Sequence, residues 1–145
     1  WSPVYKTHVD LIKRVQRRFT KMLDGLHALG YPDRLAATGL ESLELRRLKS
    51  DLCMYFKIIN GQTCLSADEY FKFDCSVKLT RTSSNLKLVK PRYNTDLLKH
   101  NFFVRVVDAW NSLPIHVREA KSCKKFNSLL QCIDFKKFLV GSYLF

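Results

Sequence analysis

The segment from His100 to Val117, HNFFVRVVDAWNSLPIHV, constrains the fold of this chain more than any other stretch. Its large apolar side chains recur at i, i+1, i+4, i+5 and i+8, a spacing that gathers them on one face of a helix. They are Phe102, Phe103, Val106, Val107 and Trp110. Pro114 ends the helix, because the residue before a proline is pushed out of the α region. A face this broad and apolar needs partners, so we predict that this helix lies at the centre of the core.

Three further segments have helical spacing. Residues 6–26 form the clearest amphipathic pattern, with apolar side chains in steps of three and four residues along one side. That apolar side consists of Ile12, Val15, Phe19, Met22 and Leu26. Residues 40–60 repeat the pattern, and a last helix is expected to begin at Ser122, a good N-cap residue. We predict that the apolar side of residues 6–26 packs inward.

Residues 77–91 alternate in two pieces around Ser83-Ser84-Asn85, which is typical of a small β-hairpin. Such a two-stranded ribbon is weak alone and would need helices beneath it. The sequence therefore predicts a mainly α fold, a small helical domain of four to five helices with room for one short β-hairpin near residues 77–90. A length of 145 residues suits one folded domain.

Charge is the unusual part of the composition. The chain has 25 Lys and Arg against 13 Asp and Glu, a formal net charge of +12. A surplus of this size attracts polyanions, which means nucleic acid or an anionic membrane surface. Most of it falls in residues 1–30 and 76–105, on either side of a nearly neutral middle segment. This uneven placement favours a binding surface over general solubilisation.

The first basic zone lies on the helix of residues 6–26, opposite its apolar side. It consists of Lys13, Arg14, Arg17, Arg18 and Lys21. A charged helix face is usually just solvated, and acid–base pairs at i and i+4 then stabilise it. Only Asp10 with Arg14 offers such a pair here, so the cations repel one another unless a polyanion lies alongside. We predict phosphate contacts for this zone.

The second basic zone surrounds the predicted hairpin and mixes cations with hydroxyl groups and an aromatic ring, Tyr93. Its cations are Lys78, Arg81, Lys87, Lys90, Arg92 and Lys99. This mixture suits contacts along a nucleic-acid backbone and base stacking more than readout of base edges. The alternative is an exposed hairpin that its lysines keep soluble, a common protection of strand edges.

The sequence lacks the motifs of the common enzyme classes. Neither GxGxxG nor GxxxxGK[ST] occurs, and no Asp-Asp pair offers the two-metal turn of a polymerase palm. The histidines are scattered, and Cys53, Cys64 and Cys75 are spaced unlike the ligands of structural zinc sites. We predict no catalytic residues, no metal, no cofactor and no small-molecule substrate.

Cysteine usage and hydropathy bear on the compartment. The chain has 5 cysteines, an odd number, with no CxxC pair and no secretory apolar segment, which predicts reduced thiols in an intracellular protein. No apolar run approaches the roughly 18–20 residues that span a bilayer, and the basic helix lacks a Trp/Phe-rich inserting face. We therefore predict no membrane partner. The opening Trp1-Ser2-Pro3, without an initiator methionine, indicates a piece of a longer chain.

Short motifs that occur in order along nearly the whole chain together resemble one family. They are WSP at 1–3, IKRVQRRFT at 12–20, YxxRL at 31–35, LxxRR at 43–47, YxKIxNG at 55–61 and WNSLP at 110–114. This series resembles the C-terminal part of the reverse transcriptase polyproteins of non-LTR (LINE-type, jockey-like) retrotransposons. VQRRFT and WNSLP are fairly specific together, although neither is a catalytic motif.

The resemblance implies a thumb-end basic amphipathic helix at residues 1–30 and a C-terminal helical domain at residues 31–145. The endonuclease and the polymerase palm of such polyproteins precede this region, and a zinc knuckle of some related families is missing here. We therefore expect a non-catalytic portion of an RNA-directed DNA polymerase that holds template RNA or target DNA through its basic patches.

The expected partners are RNA or DNA, or both, and the remainder of the polyprotein, in a cytoplasmic ribonucleoprotein and in the nucleus. Two other functions are compatible with the sequence. One is a structural or interaction module that packs on the thumb or on a partner subunit, with incidental charge. The other is an enzyme fragment that supplies part of a composite active site.

Overall fold

The computed structural model describes residues 3, 5–73 and 87–139. This part of the chain is mainly helical, with 60% of its residues in helices and no sheet, which confirms the predicted fold class. Its eight α-helices run in chain order. They are α1 (Lys6–Lys21), α2 (Tyr31–Thr38), α3 (Leu43–Ile59), α4 (Ala67–Tyr70), α5 (Asp96–Lys99), α6 (Phe102–Asn111), α7 (Ile115–Arg118) and α8 (Cys123–Leu130). A short 3₁₀ turn follows at Lys136–Phe138.

The number of helices exceeds the predicted four to five because α4, α5 and α7 are single turns of four residues. Segments that short carry no readable 3.6-residue period. The side-chain oxygen of Asn101 accepts a hydrogen bond from the backbone N–H of Phe103 at the start of α6. Ser122 caps α8 in the same way through the N–H of Lys125, as predicted. Capping satisfies backbone donors that the first helical turn leaves without partners.

The described residues form two compact units, and the division falls inside α3, after Arg47. The first unit contains α1 and α2, and the second runs from Leu48 to Phe138. Helices α1 and α2 pack together within the first unit.

Trp110 of α6 lies at the centre of the second unit, fully buried as predicted. Its ring meets Tyr55 of α3 edge to face at 4.5 Å and Phe126 of α8 at 5.8 Å. Phe56 stacks on Phe126 at 4.4 Å. Aromatic pairs in these geometries add to the free energy gained from burial alone. Val106 and Val107 are buried beside them, so this side of α6 is core.

Phe102 and Phe103, by contrast, are only half-buried. They lie in an aromatic cluster at the edge of the unit, in which Phe103 stacks on Tyr70 at 4.6 Å and also meets Phe71 at 5.3 Å. The prediction that both rings belong to the central core was therefore too broad. Spacing along one helix identifies its apolar face, but the positions of the neighbouring elements determine how much of that face is buried.

The predicted hairpin lies mostly outside the described residues. Leu88, at its described end, forms a single antiparallel bridge with Phe73. Its backbone is also held by Asn111 of α6, whose side chain accepts from the Leu88 N–H at 2.9 Å and donates to the Leu88 carbonyl at 2.8 Å. Asn111 of the WNSLP motif therefore anchors this segment on α6.

In the first unit, α1 packs through polar side chains. Thr20 is fully buried, and its Oγ1 accepts a hydrogen bond from Nε of Arg34 at 3.2 Å. Gln16 accepts from the Tyr31 hydroxyl at 2.7 Å and donates to the Glu41 carbonyl at 3.0 Å. The prediction that the apolar side of this helix packs inward is therefore wrong for most of that side.

Candidate nucleic-acid interface

Helix α1 presents three different surfaces along its length. At about 100° per residue, its side chains fall into three groups of directions. The docked face, which packs in the first unit, comprises Val9, Lys13, Gln16 and Thr20. The cationic face comprises Arg14, Arg17, Arg18 and Lys21, all exposed. The apolar stripe comprises Leu11, Val15, Phe19 and Met22, also exposed.

Lys13 belongs to the docked face, which corrects its prediction as a phosphate contact. Only 4% of its side chain is exposed, and its Nζ lies 3.3 Å from Oε2 of Glu44. A charge buried beside a carboxylate is compensated where it stands and cannot reach a polyanion. The helical period places Lys13 at the margin of the cationic side, and the contact with Glu44 at the start of α3 turns it inward.

Arg17 is held in place by the first unit. Its guanidinium lies 5.1 Å from the centre of the Tyr31 ring, and that of Arg34 lies 5.8 Å from the same ring. The Tyr31 hydroxyl is in turn bonded to Gln16. A cation–π contact at an exposed site contributes about 0.5–1 kcal/mol. Arg17 therefore keeps its charge in solvent while its orientation is restricted.

Arg14, Arg18 and Lys21 are exposed and have no ion-pair partner among the described residues. Arg18 and Lys21 lie in the last turn of α1, where cations interact favourably with the helix dipole. That interaction gives them a structural role, and it leaves their donors open to solvent. The cationic face thus offers four positive charges along one side of a 16-residue helix.

The second basic zone is only partly described, since Lys78 and Arg81 lie outside the described residues. Lys87, Arg92 and Lys99 are exposed. Lys90 differs, because its Nζ forms an ion pair with Oδ2 of Asp108. The hydrogen bond to Asp108 raises the pKa of Lys90 above its ordinary value.

The phosphate contact of Lys90 stays a prediction, and the ion pair with Asp108 is the contact that the lysine makes in this structure. Both partners are well exposed, and exposed pairs of this kind contribute only about 0–1 kcal/mol. The ammonium also lies 5.9 Å from the ring centre of Tyr93. This contact brings together two of the predicted residues, although Asp108 reduces the positive charge beside the ring.

Two features were missed by sequence reasoning. Lys121, Lys124 and Lys125 are exposed around the start of α8, and the run KSCKK was the available signal. Arg118 of α7 is 5% exposed, and its Nε and Nη1 have no hydrogen-bond partner among the described residues. Burial lowers the pKa of Arg118 from its ordinary value. No pattern in the sequence separates this arginine from its exposed neighbours.

No three His, Cys, Asp or Glu side chains within residues 5–73 and 87–139 are grouped so as to hold a metal ion. None of the helices in this part of the chain combines the length and the hydropathy that a membrane crossing needs. Cys53, Cys64, Cys123 and Cys132 are free thiols. Burial, followed by the nearby Cys123, raises the pKa of Cys53.

The chain matches no protein-family model, no curated protein and no solved structure.

Proposed function

We propose that this chain is a non-catalytic, nucleic-acid-binding portion of a retrotransposon reverse transcriptase, and that it holds template RNA or target DNA by charge. The cationic face of α1 is the observation that carries the proposal. Arg14, Arg17, Arg18 and Lys21 point into solvent while the one paired lysine of the helix is buried with Glu44. Like charges this close together repel, and phosphate groups alongside would relieve that repulsion.

Binding of this kind does not read sequence. Arginine and lysine contacts to phosphate fix the position of a nucleic acid and carry no base information themselves. A helix rises 1.5 Å per residue, so the four cations from Arg14 to Lys21 extend over about 10 Å. That length corresponds to roughly three nucleotides along one strand. The face would therefore retain a strand without selecting one.

The resemblance to LINE-type polyproteins supports this function, because a polymerase that starts from a nicked target must keep two nucleic acids in reach. Catalysis would belong to a part of the polyprotein other than this chain. The expected partners are RNA or DNA and the remainder of that polyprotein, in a cytoplasmic ribonucleoprotein and in the nucleus.

A salt series tests the proposal. The full chain is titrated with single-stranded RNA, structured RNA and duplex DNA, and the logarithm of the association constant is plotted against the logarithm of salt concentration. Each phosphate neutralised contributes about 0.7 to 0.9 to the slope. The triple variant Arg14→Gln/Arg17→Gln/Arg18→Gln should therefore make this plot shallower, reducing the magnitude of its slope by about 2 to 2.7.

The variant Lys121→Gln/Lys124→Gln/Lys125→Gln is the matched control, since it removes the same charge from exposed positions around α8. It should leave the slope nearly unchanged. A flat salt dependence of the parent chain would contradict the proposal. An equal loss of slope in both triple variants would contradict the assignment to α1, because binding would then follow net charge alone.

The alternative function is a structural or interaction module that packs on the thumb or on a partner subunit. One observation favours it, the exposed apolar stripe on α1. In that case the triple arginine variant would show the same salt dependence of nucleic-acid binding as the parent chain.

A further inference from the structure

The apolar stripe of α1 is an uncovered surface beside the cationic face. Leu11, Val15, Phe19 and Met22 are 53%, 71%, 57% and 75% exposed, respectively. They follow one another in steps of four, four and three residues, so they form a continuous line along the helix. Single exposed apolar residues are normal on a protein surface, but a contiguous line of them marks an interaction site.

The first unit cannot cover the stripe by turning the helix over, because the docked face is fixed by specific bonds. Thr20 is bonded to Arg34, Gln16 to Tyr31, and Lys13 to Glu44. Turning α1 would leave those buried polar groups without partners, which costs about 1–3 kcal/mol for each. The stripe is therefore exposed as a consequence of how α1 is held.

The width of the stripe indicates one helix as its occupant. Its four side chains span roughly 80° of the helix circumference, narrower than the apolar arc of about 100° or more by which surface helices pack on a domain core. A seam this narrow is typical of two helices that pack side by side. A lipid surface would meet only one aromatic ring and four side chains in all.

Charge decides which helix fits. Arg14 and Arg18 lie along one long edge of the stripe, and both are exposed. In paired helices, residues that flank the apolar seam form ion pairs with the facing helix and set the choice of partner. A second copy of this chain would bring a formal charge of +12 to another of +12, which opposes association.

We propose that the apolar stripe of α1 docks an amphipathic helix of another protein, whose own apolar seam is flanked by Asp or Glu. This inference rests on the apolar stripe and not on the nucleic-acid interface proposed above, although Arg14 and Arg18 of the cationic face would take part in both. Leu11, Val15, Phe19 and Met22 supply the contact area, and Arg14 with Arg18 select acidic flanks.

The test uses the full chain and two labelled peptides of about three heptads, in which Leu occupies positions a and d. One peptide has Glu at positions e and g, and the other has Lys there. Fluorescence anisotropy measures their dissociation constants. The Glu peptide should bind at least about tenfold more tightly than the Lys peptide, since facing like charges are repulsive.

The double variant Val15→Gln/Phe19→Gln should weaken binding of the Glu peptide by about tenfold or more, because buried apolar anchors carry most of the energy of such contacts. Gln is a good helix former, so α1 should remain folded. Met54→Gln is the matched control, since Met54 is an exposed apolar residue of another helix, α3. It should bind the peptide like the parent chain.

Three results would overturn the proposal. One is equal affinity for the two peptides, and another is unchanged affinity in Val15→Gln/Phe19→Gln. The third begins with a parent chain that binds neither peptide. If that chain self-associates and Val15→Gln/Phe19→Gln does not, the stripe belongs to a second copy. If it binds phosphatidylcholine–phosphatidylserine vesicles and the double variant does not, the stripe belongs to a lipid surface. The double variant should keep the salt-dependent nucleic-acid binding of the parent, so the two proposals can fail separately.

Discussion

The side chain of Lys13 lies 3.3 Å from the carboxylate of Glu44, and the two groups are 4% and 18% exposed. This contact joins α1 to the start of α3 inside the first unit. It removes one lysine from the cationic surface and, together with Gln16 and Thr20, fixes which side of α1 faces inward. The remaining cations of the helix and its apolar stripe are consequently presented to solvent.

Lys13 and Arg14 are neighbours in sequence and should behave in opposite ways when neutralised. Lys13→Gln leaves the carboxylate of Glu44 without its partner, so we expect a loss of about 1–3 kcal/mol in the free energy of unfolding. The salt slope of nucleic-acid binding should not change. Arg14→Gln should change stability by less than about 0.5 kcal/mol and lower the slope by about 0.7 to 0.9. Urea unfolding and the salt series measure the two effects, and the same response from both variants would contradict the orientation of α1.

The orientation of α1 could be predicted from the sequence only in part. The 3.6-residue period correctly separated an apolar side from a basic side, because that depends only on local geometry. It did not reveal that the unit packs mainly against the polar side chains that lie between those two sides. Thr20 and Gln16 form their bonds with Arg34, Tyr31 and Glu41, and such long-range polar pairing leaves no period in the sequence.

The central helix was easier to predict, because large apolar side chains such as Trp110 and its valine neighbours favour burial whatever the rest of the fold. The prediction was wrong for Phe102 and Phe103, which are only half-buried. Their partners are Tyr70 and Phe71, and the helical period of α6 does not indicate those contacts. The ion pair of Lys90 was not predictable for a similar reason. Its partner, Asp108, is 18 residues away and becomes a neighbour only when the segment around Leu88 lies along α6.

The pair between Arg105 and Asp51 should be a main polar tie between α6 and α3. Nε and Nη2 of Arg105 reach the two carboxylate oxygens at 2.8 Å and 2.9 Å, and Nη1 donates to the His100 carbonyl at 3.1 Å. Such a two-pronged contact in a half-buried position is stronger than an exposed pair. Asp51→Asn should lower the free energy of unfolding by about 1–3 kcal/mol.

Asp134→Asn provides the comparison for that variant in the same unit. Asp134 pairs with Lys136 at 3.6 Å, where the two side chains are 67% and 89% exposed. Chemical denaturation should detect a change of less than about 0.5 kcal/mol. Comparable losses in both aspartate variants would mean that the Arg105 contact contributes no more than a surface pair.

Asn111 should be needed to hold the segment around Leu88. In Asn111→Ala the N–H of Leu88 loses its acceptor next to a side chain that is only 4% exposed. An unsatisfied backbone donor costs about 1–3 kcal/mol, so the segment should detach before the core unfolds. Hydrogen exchange at the Leu88 and Val89 amides should become faster, while that of α8 stays unchanged. Asn127→Ala, at an exposed position on α8, should leave exchange at residues 88 and 89 as it is in the parent chain.

The thiols should differ in their reaction with iodoacetamide as pH rises. Burial raises the pKa of Cys53 above its ordinary value of 9.0, so at any pH near 8 a smaller fraction of it is the reactive thiolate. Cys64 is exposed and should be alkylated first, and Cys53 should react more slowly than Cys64 at the same pH. The proton is bound more tightly in the folded than in the unfolded chain, so stability should decrease as the pH rises above about 9.

Mass spectrometry of peptides alkylated between about pH 7 and pH 10 orders the two thiols by reaction rate, with the unfolded chain as the reference. Equal rates for Cys53 and Cys64 in the folded chain would contradict the packing of α3 against α8, which partly covers the Cys53 thiol near Cys123 and Asn127.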